Sequence, residues 1–259
     1  MTCLGKYLVR GPARPRRDVD SPECTIENKA LIQSKVFLRL FYERVYAYFA
    51  EELACVPEGT VLELGSGGGF LKEALPGIRT SDVLDLPELD MRISAMDLPF
   101  LDGSISGICM LDVFHHIPNV AKFLREADRV LVPGGRLVMW EPANTPFARI
   151  IYQNFHHEAF DPGQVEWRLA DGGPLSVANG ALPWIVCVRD ATLRKRICPG
   201  LVLVKMESVC PLLYLLSGGF SMKQILPDRF SSLVETLEGA LAPLNGYLGM
   251  FYKISLLKV

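Results

Sequence analysis

The run Val61-Leu62-Glu63-Leu64-Gly65-Ser66-Gly67-Gly68-Gly69-Phe70 constrains the fold more than any other stretch of the chain. Apolar residues interleaved with one glutamate suit a short buried strand, and the glycines behind it let the backbone turn where side chains would collide. Leu71-Lys72-Glu73-Ala74-Leu75 then reads as helix. Strand, glycine loop and helix in that order set backbone N–H groups where a ligand can approach closely. Spacing excludes two familiar versions of such a loop. A dinucleotide loop needs a third glycine at position 70, which is Phe70, and a nucleotide-triphosphate loop needs Gly-Lys-Ser/Thr, which does not follow.

A length of 259 residues suits one α/β domain with a sizeable core. The formal charge of −2 gives no basic face for phosphate neutralisation, so a small-molecule partner is expected and nucleic acid is not. The seven cysteines lack Cys-x-x-Cys spacing and read as reduced thiols of a cytoplasmic protein, with Cys109 and Cys187 inside apolar, strand-like runs. Residues 1–27 carry Lys6, Arg10, Arg14, Arg16 and Arg17 without an apolar secretory core and are expected to be a flexible basic arm. No apolar run is long enough to span a bilayer, which leaves a peripheral membrane contact open.

From Asn28 to Leu53 apolar residues recur at three- and four-residue steps, predicting one or two amphipathic helices as a cover, with Lys35, Arg39, Tyr42 and Tyr46 able to reach a cofactor. Ile78–Leu84 reads as a second strand with Asp82 at its end, placed to hold a ribose, and Asp85 in reserve. The next crossover, Asp85 to Asp90, contains Pro87 and is too short for a full helix. Ile105–Leu111 is a nearly continuous apolar run, as expected for a central parallel strand buried on both faces. Leu111 and Asp112 fall at its carboxyl end, where doubly wound sheets bind ligands. Helix 120–131, strand 136–141, strand 201–206, helix 230–241 and a last strand 250–259 complete the expected elements.

Taken together, Glu63 with Gly65, Gly67 and Gly69, Asp97-Leu98-Pro99-Phe100, Asp112 through Pro118, and Arg129-Val130-Leu131-x-Pro133-Gly134-Gly135 resemble the class I S-adenosylmethionine-dependent methyltransferases, in their small-molecule branch. The resemblance covers about residues 61–142. It implies a Rossmann-like doubly wound sheet of seven strands, mostly parallel with one antiparallel strand, an N-terminal helical cover and a lid insertion. The division it suggests is cover 28–55, cofactor core 56–142, acceptor lid 143–200 and C-terminal strands and helices 201–259. It further implies S-adenosylmethionine as cofactor, leaving as S-adenosylhomocysteine, with Glu63, Gly65, Ser66, Gly67, Gly69, Asp82, Ser94, Ala95, Met96, Leu111 and Asp112 around it. Ser94 stands where the family usually has the acid that contacts adenine. A catalytically silent, cofactor- or partner-binding relative is the alternative reading.

All four histidines lie in two adjacent pairs, His115-His116 and His156-His157, at the expected mouth of the sheet. With Glu158 able to orient an imidazole, His157, His156 and His116 are the candidate general bases for a hydroxyl acceptor. Tyr152, Phe155, Phe160, Trp167 and Trp184 would line the lid. No metal is expected, because adjacent histidines usually point to different faces and each pair would supply one ligand.

Overall fold

The structure, a computed structural model, describes residues 18–156 and 158–259. The expected basic arm therefore lies mostly outside the described residues, as does His157. Seven strands form one sheet: β1 (Thr60–Leu64), β2 (Arg79–Asp82), β3 (Met91–Arg92), β4 (Ile105–Leu111), β5 (Leu131–Pro142), β6 (Leu201–Val209) and β7 (Phe251–Lys258), in the order β3-β2-β1-β4-β5-β7-β6. The pairs from β3 to β5 are parallel, and β7 runs antiparallel to both of its neighbours. This is the expected doubly wound sheet with one antiparallel strand.

Chain chemistry explains where the elements begin and end. Ser21 accepts a hydrogen bond from the Cys24 N–H and Pro22 occupies the first turn of α1 (Pro22–Ser34), so the helix starts inside the expected arm, five residues before its boundary. Lys35 is extended and separates α1 from α2 (Val36–Leu53). The helix after the glycine loop, α3 (Leu71–Ala74), is a single turn. Pro87 and the short crossover hold β3 to two residues. Asn119 caps α4 (Val120–Val130), and Thr145 followed by Pro146 opens α5 (Pro146–Phe155).

β5 begins earlier than expected. Its ladder to β4 starts at Leu131 and resumes at Arg136, so the Pro133-Gly134-Gly135 turn is absorbed as an irregularity within the strand, with Gly134 at φ +85°. Arg129 ties this region to the loop before β4. Its guanidinium donates to the Leu98 and Phe100 carbonyls and to Glu126 and Asp102.

α2 covers the sheet with Phe37, Leu38, Phe41, Val45, Tyr48 and Phe49, all buried. Phe41 meets the edge of Trp140 on β5 at 5.8 Å and lies 5.5 Å from Phe251 on β7. Burying each such aromatic contributes about 1.5–3 kcal/mol, which makes this cover part of the core.

Residues 182–197 are helical: α6 (Leu182–Trp184), a π-helical turn Ile185–Arg189 and α7 (Ala191–Ile197). Cys187 is thus in a helix and not in a strand, whereas Cys109 is in β4 as expected. The six described cysteines form no disulfide. Between β6 and β7 lie α8 (Leu212–Ser217), α9 (Ser231–Leu241) and the short α10 (Asn245–Leu248). No helix among the described residues is long and apolar enough to cross a membrane.

Candidate active site

The glycine loop leaves β1 with Gly65 at φ +69° and Gly67 at φ +50°, conformations that glycine adopts without strain. A Cβ on Gly67 would make ordinary contacts, 3.8 Å to the Gly65 carbonyl and 3.9 Å to Thr25 of α1, so this glycine answers to its backbone conformation and not to packing. The neighbouring glycines serve packing. A Cβ on Gly65 would lie 2.4 Å from Val113, one on Gly68 would lie 2.7 Å from the Lys29 backbone in α1, and one on Gly69 would lie 2.6 Å from the Tyr46 hydroxyl. Gly68, absent from the expected set, is therefore what lets α1 close over the loop.

Asp82 holds the loop from the end of β2. Its Oδ2 accepts from the Gly67 N–H at 3.0 Å and its Oδ1 from the Leu84 N–H at 2.9 Å. Asp85 is exposed on the following turn, away from this arrangement. Ser66 Oγ accepts from the Ser81 N–H at 3.1 Å and its hydroxyl donates to Glu63. Burial, and then the Asp82 charge, push the Glu63 carboxyl up to about 7 against the pull of Ser66. Ser94, Ala95 and Met96 form a half-buried turn beyond β3, with Ser94 Oγ accepting from the Met96 N–H, while Asp97 is exposed. The cover residues are otherwise engaged. Tyr46 accepts from the Phe70 N–H, Lys35 donates to the Gly219 and Met222 carbonyls, and Arg39 pairs with Glu43.

A second constellation stands at the carboxyl ends of β4 and β5. Leu111 ends β4, and Asp112 follows at φ +54°, an uncommon conformation for a side-chain-bearing residue, with Oδ1 buried and unpartnered. The chain then makes a 3₁₀ turn, Phe114–His116. Glu141, fully buried near the end of β5, organises this turn. Its Oε1 accepts from the Val113 and Phe114 N–H groups, each at 2.8 Å, and its Oε2 from His115 Nδ1 at 2.6 Å.

The lid completes the cluster. Glu158 lies 3.3 Å from His115 Nε2, 3.6 Å from His116 Nε2 and 3.7 Å from His156 Nδ1. Asn179 docks the lid on the turn: its N–H donates to the His115 carbonyl, and its side chain accepts from the Asp161 and Ala181 N–H groups. His116 Nδ1 faces the Val177 carbonyl at 3.2 Å.

Burial acts to lower the His115 pKa, but Glu141 and Glu158 outweigh it and hold the imidazole well above its ordinary range. Burial likewise acts to raise Glu158, and hydrogen bonds from His115 and His116 outweigh it and pull the carboxyl far down. Asp112 is pushed well above its ordinary value by burial, with His115 pulling the other way. Burial and then the Asp112 charge raise the hydroxyls of Tyr42, Tyr152 and Tyr214, which places these three phenols around the same spot.

The expected aromatic lining of the lid is only partly formed. Tyr152 and Phe160 stack at 5.2 Å, but Phe155 is 75% exposed and Trp167 donates to Asp190 against the helices behind. Sequence reasoning missed His115 as the centre of the cluster and missed Glu141 altogether. The available signal was a glutamate at the ligand-binding end of an otherwise apolar strand, in Trp140-Glu141-Pro142.

Residues 62–139 match a family model described as methyltransferase domain. The similarity to that domain lies in this stretch of the chain. Among curated proteins, a demethylmenaquinone methyltransferase of Symbiobacterium thermophilum is 32% identical over 119 residues, which are 45% of this chain and 46% of that protein. A 27-O-demethylrifamycin SV methyltransferase of Amycolatopsis mediterranei is 44% identical over 45 residues, 17% of this chain and 16% of that one. The chain spans about half the length of the first of these relatives and less of the second.

Among solved structures, a geranyl diphosphate C-methyltransferase from Streptomyces coelicolor, in complex with Mg²⁺, geranyl diphosphate and S-adenosyl-L-homocysteine, aligns with a TM-score of 0.54 at 12% identity. The alignment covers 95% of this chain and 88% of that one. At that identity the likeness is one of fold. This chain has its glycine loop after β1, Asp82 at the end of β2 and its histidine turn after β4, all along one edge of the sheet.

Proposed function

We propose that the protein is an S-adenosylmethionine-dependent methyltransferase acting on a hydroxyl oxygen of a small molecule. The observation that carries this reading is the convergence of two sites along one sheet edge: the Asp82-held glycine loop at β1 and β2, and the His115–His116–Glu158 cluster at β4 and β5. The residues fit the cofactor. Gly67, without a side chain and at φ +50°, suits close backbone approach, the Asp82 carboxylate retains unused lone pairs for ribose hydroxyls, and Glu63 suits a cation. Ser94, Ala95 and Met96 form the adenine side, and Leu111 and Asp112 the reacting side.

S-adenosylmethionine, when bound, supplies an electrophilic methyl carbon. The chain holds donor and acceptor together under α1, α2 and the lid, and such positioning lowers a barrier by about 7–11 kcal/mol. A hydroxyl acceptor also loses a proton, which goes to the histidine–glutamate cluster, with His116, His156 and His157 as its candidate bases and Glu158 orienting them. Help from such a base is worth about 10²–10⁴ in rate. Two relatives whose names carry an oxygen position, 27-O-demethylrifamycin SV methyltransferase and tocopherol O-methyltransferase, support oxygen over nitrogen.

The test is transfer of label from methyl-labelled S-adenosylmethionine to small molecules of a cell extract, with mass-spectrometric identification of the product. A labelled methyl ether is the expected result. Donor binding without label transfer would leave a cofactor-binding module instead.

A further inference from the structure

The two imidazoles of the histidine turn are held in matching orientations. Glu141 Oε1 accepts two backbone N–H groups and its Oε2 meets His115 Nδ1 at 2.6 Å, so Glu141 occupies the Nδ1 side of that ring. The Val177 carbonyl can only accept, which puts a hydrogen on His116 Nδ1. Both Nε2 atoms therefore face one carboxylate, that of Glu158.

The two rings lie with centroids 4.3 Å apart in a buried corner, and one ligand atom from each of His115, His116 and Glu158 lies within 4.8 Å of the others. The separations suit one divalent ion. Nε2 to Glu158 measures 3.3 Å and 3.6 Å, longer than the about 2.7–2.9 Å of a charge-assisted hydrogen bond. They approach the edge of a ligand tetrahedron, about 3.3–3.4 Å for bonds of about 2.0–2.1 Å to zinc.

We propose that His115 Nε2, His116 Nε2 and the Glu158 carboxylate bind one divalent transition-metal ion of the zinc type, with a fourth position left for water or an acceptor oxygen. Two imidazoles and a carboxylate with an open position form a ligand set that catalytic zinc uses. The supports behind it are those such sites need: Glu141 braces His115, and the Val177 carbonyl braces His116. Glu141 itself is not a ligand, since three donors already occupy it. His156 Nδ1 accepts from the Glu158 N–H and steadies the residue that closes the site.

The expectation of no metal assumed that adjacent histidines diverge. On this 3₁₀ turn they do not, and the two rings sit 41° apart over the same carboxylate. The site stands on its ligand geometry alone. Its consequence for the reaction rests on the methyl-transfer reading: an acceptor hydroxyl at the open position would be acidified by the ion and would need no imidazole base.

The experiment uses the full chain, stripped with a chelator and titrated with Co²⁺ and then Zn²⁺, with S-adenosylhomocysteine affinity measured on the same stripped sample. The expected result is uptake of one Co²⁺ with the visible bands of a tetrahedral site, displaced by Zn²⁺. His116→Gln and Glu158→Gln should each weaken it at least tenfold, and Glu141→Gln about 10- to 100-fold. Failure of the wild type to take up either ion would overturn the proposal, as would uptake unchanged in both ligand variants. S-adenosylhomocysteine binding in a protein that takes up no metal would sink the metal site and leave the methyl-transfer reading standing. Metal uptake without cofactor binding would do the reverse.

Discussion

The proposed donor side and the proposed acceptor side of this molecule are built by different means. Residues 60–82 make the donor side from consecutive pieces of chain, and the contacts that shape it, Asp82 to Gly67 and Ser81 to Ser66, span only 15 residues. The acceptor side is assembled from three distant segments: the turn at 114–116, Glu141 on β5 and the lid from 156 to 180. A local site is shaped by backbone conformation, whereas an assembled one depends on buried charges that hold each other in place. Variants in the two halves should therefore fail differently.

The largest separation is expected from Glu158→Gln, which removes the carboxylate at which His115 and His116 converge. Turnover should fall about 10²- to 10⁴-fold while S-adenosylhomocysteine affinity stays the same. An equal loss of donor affinity in a calorimetric titration would erase the distinction between the halves. Next is Gly67→Val, which places a branched side chain at φ +50° and beside Thr25 of α1. Donor binding should drop below detection, with the melting temperature lowered by only a few degrees.

Asp82→Ala should weaken donor binding by about 1–3 kcal/mol, since the Gly67 and Leu84 N–H groups lose their acceptor along with any ribose contact. Asp82→Asn, keeping one acceptor oxygen, should fall between. Unchanged affinity in both would move the ribose contact to Asp85.

Glu63 gives a pH dependence to the donor half. Its carboxyl is raised from 4.5 to about 7, so the stability it contributes to the ligand-free protein is present below pH 4.5 and lost as pH rises through 7. A cationic donor favours the ionised form, so affinity should rise between about pH 6 and pH 8. Glu63→Gln should flatten that rise and make the ligand-free protein relatively more stable above pH 7. The smallest effect is expected from Tyr46→Phe, which strips the acceptor from the Phe70 N–H and should cost about 1 kcal/mol in denaturant unfolding.

The same division explains what could be read from the sequence. The glycine loop, the place of Asp82 and the buried run of β4 depend on local pattern, and the structure puts them where the pattern does. The seven-stranded sheet with one antiparallel strand is an implication of the family resemblance, and the chain forms that sheet, with β7 as the antiparallel strand. The acceptor side resisted for physical reasons. Glu141 and His115 lie 26 residues apart, and nothing in their spacing shows that one carboxylate would bind a side chain and two backbone amides at once. Phe155, apolar and beside His156, ends α5 facing outward because its helix buries Ala148 and Tyr152 instead. Cys187 sits in an apolar run that length alone could not assign to strand or helix, and the π turn at 185–189 decided it.

Calorimetric titration of S-adenosylhomocysteine into the wild type, Asp82→Ala and Glu158→Gln tests the central claim most directly. The account predicts saturable binding by the wild type, unchanged binding by Glu158→Gln and binding weakened about 5- to 150-fold by Asp82→Ala. No binding by the wild type, or equal losses in the two variants, would contradict it.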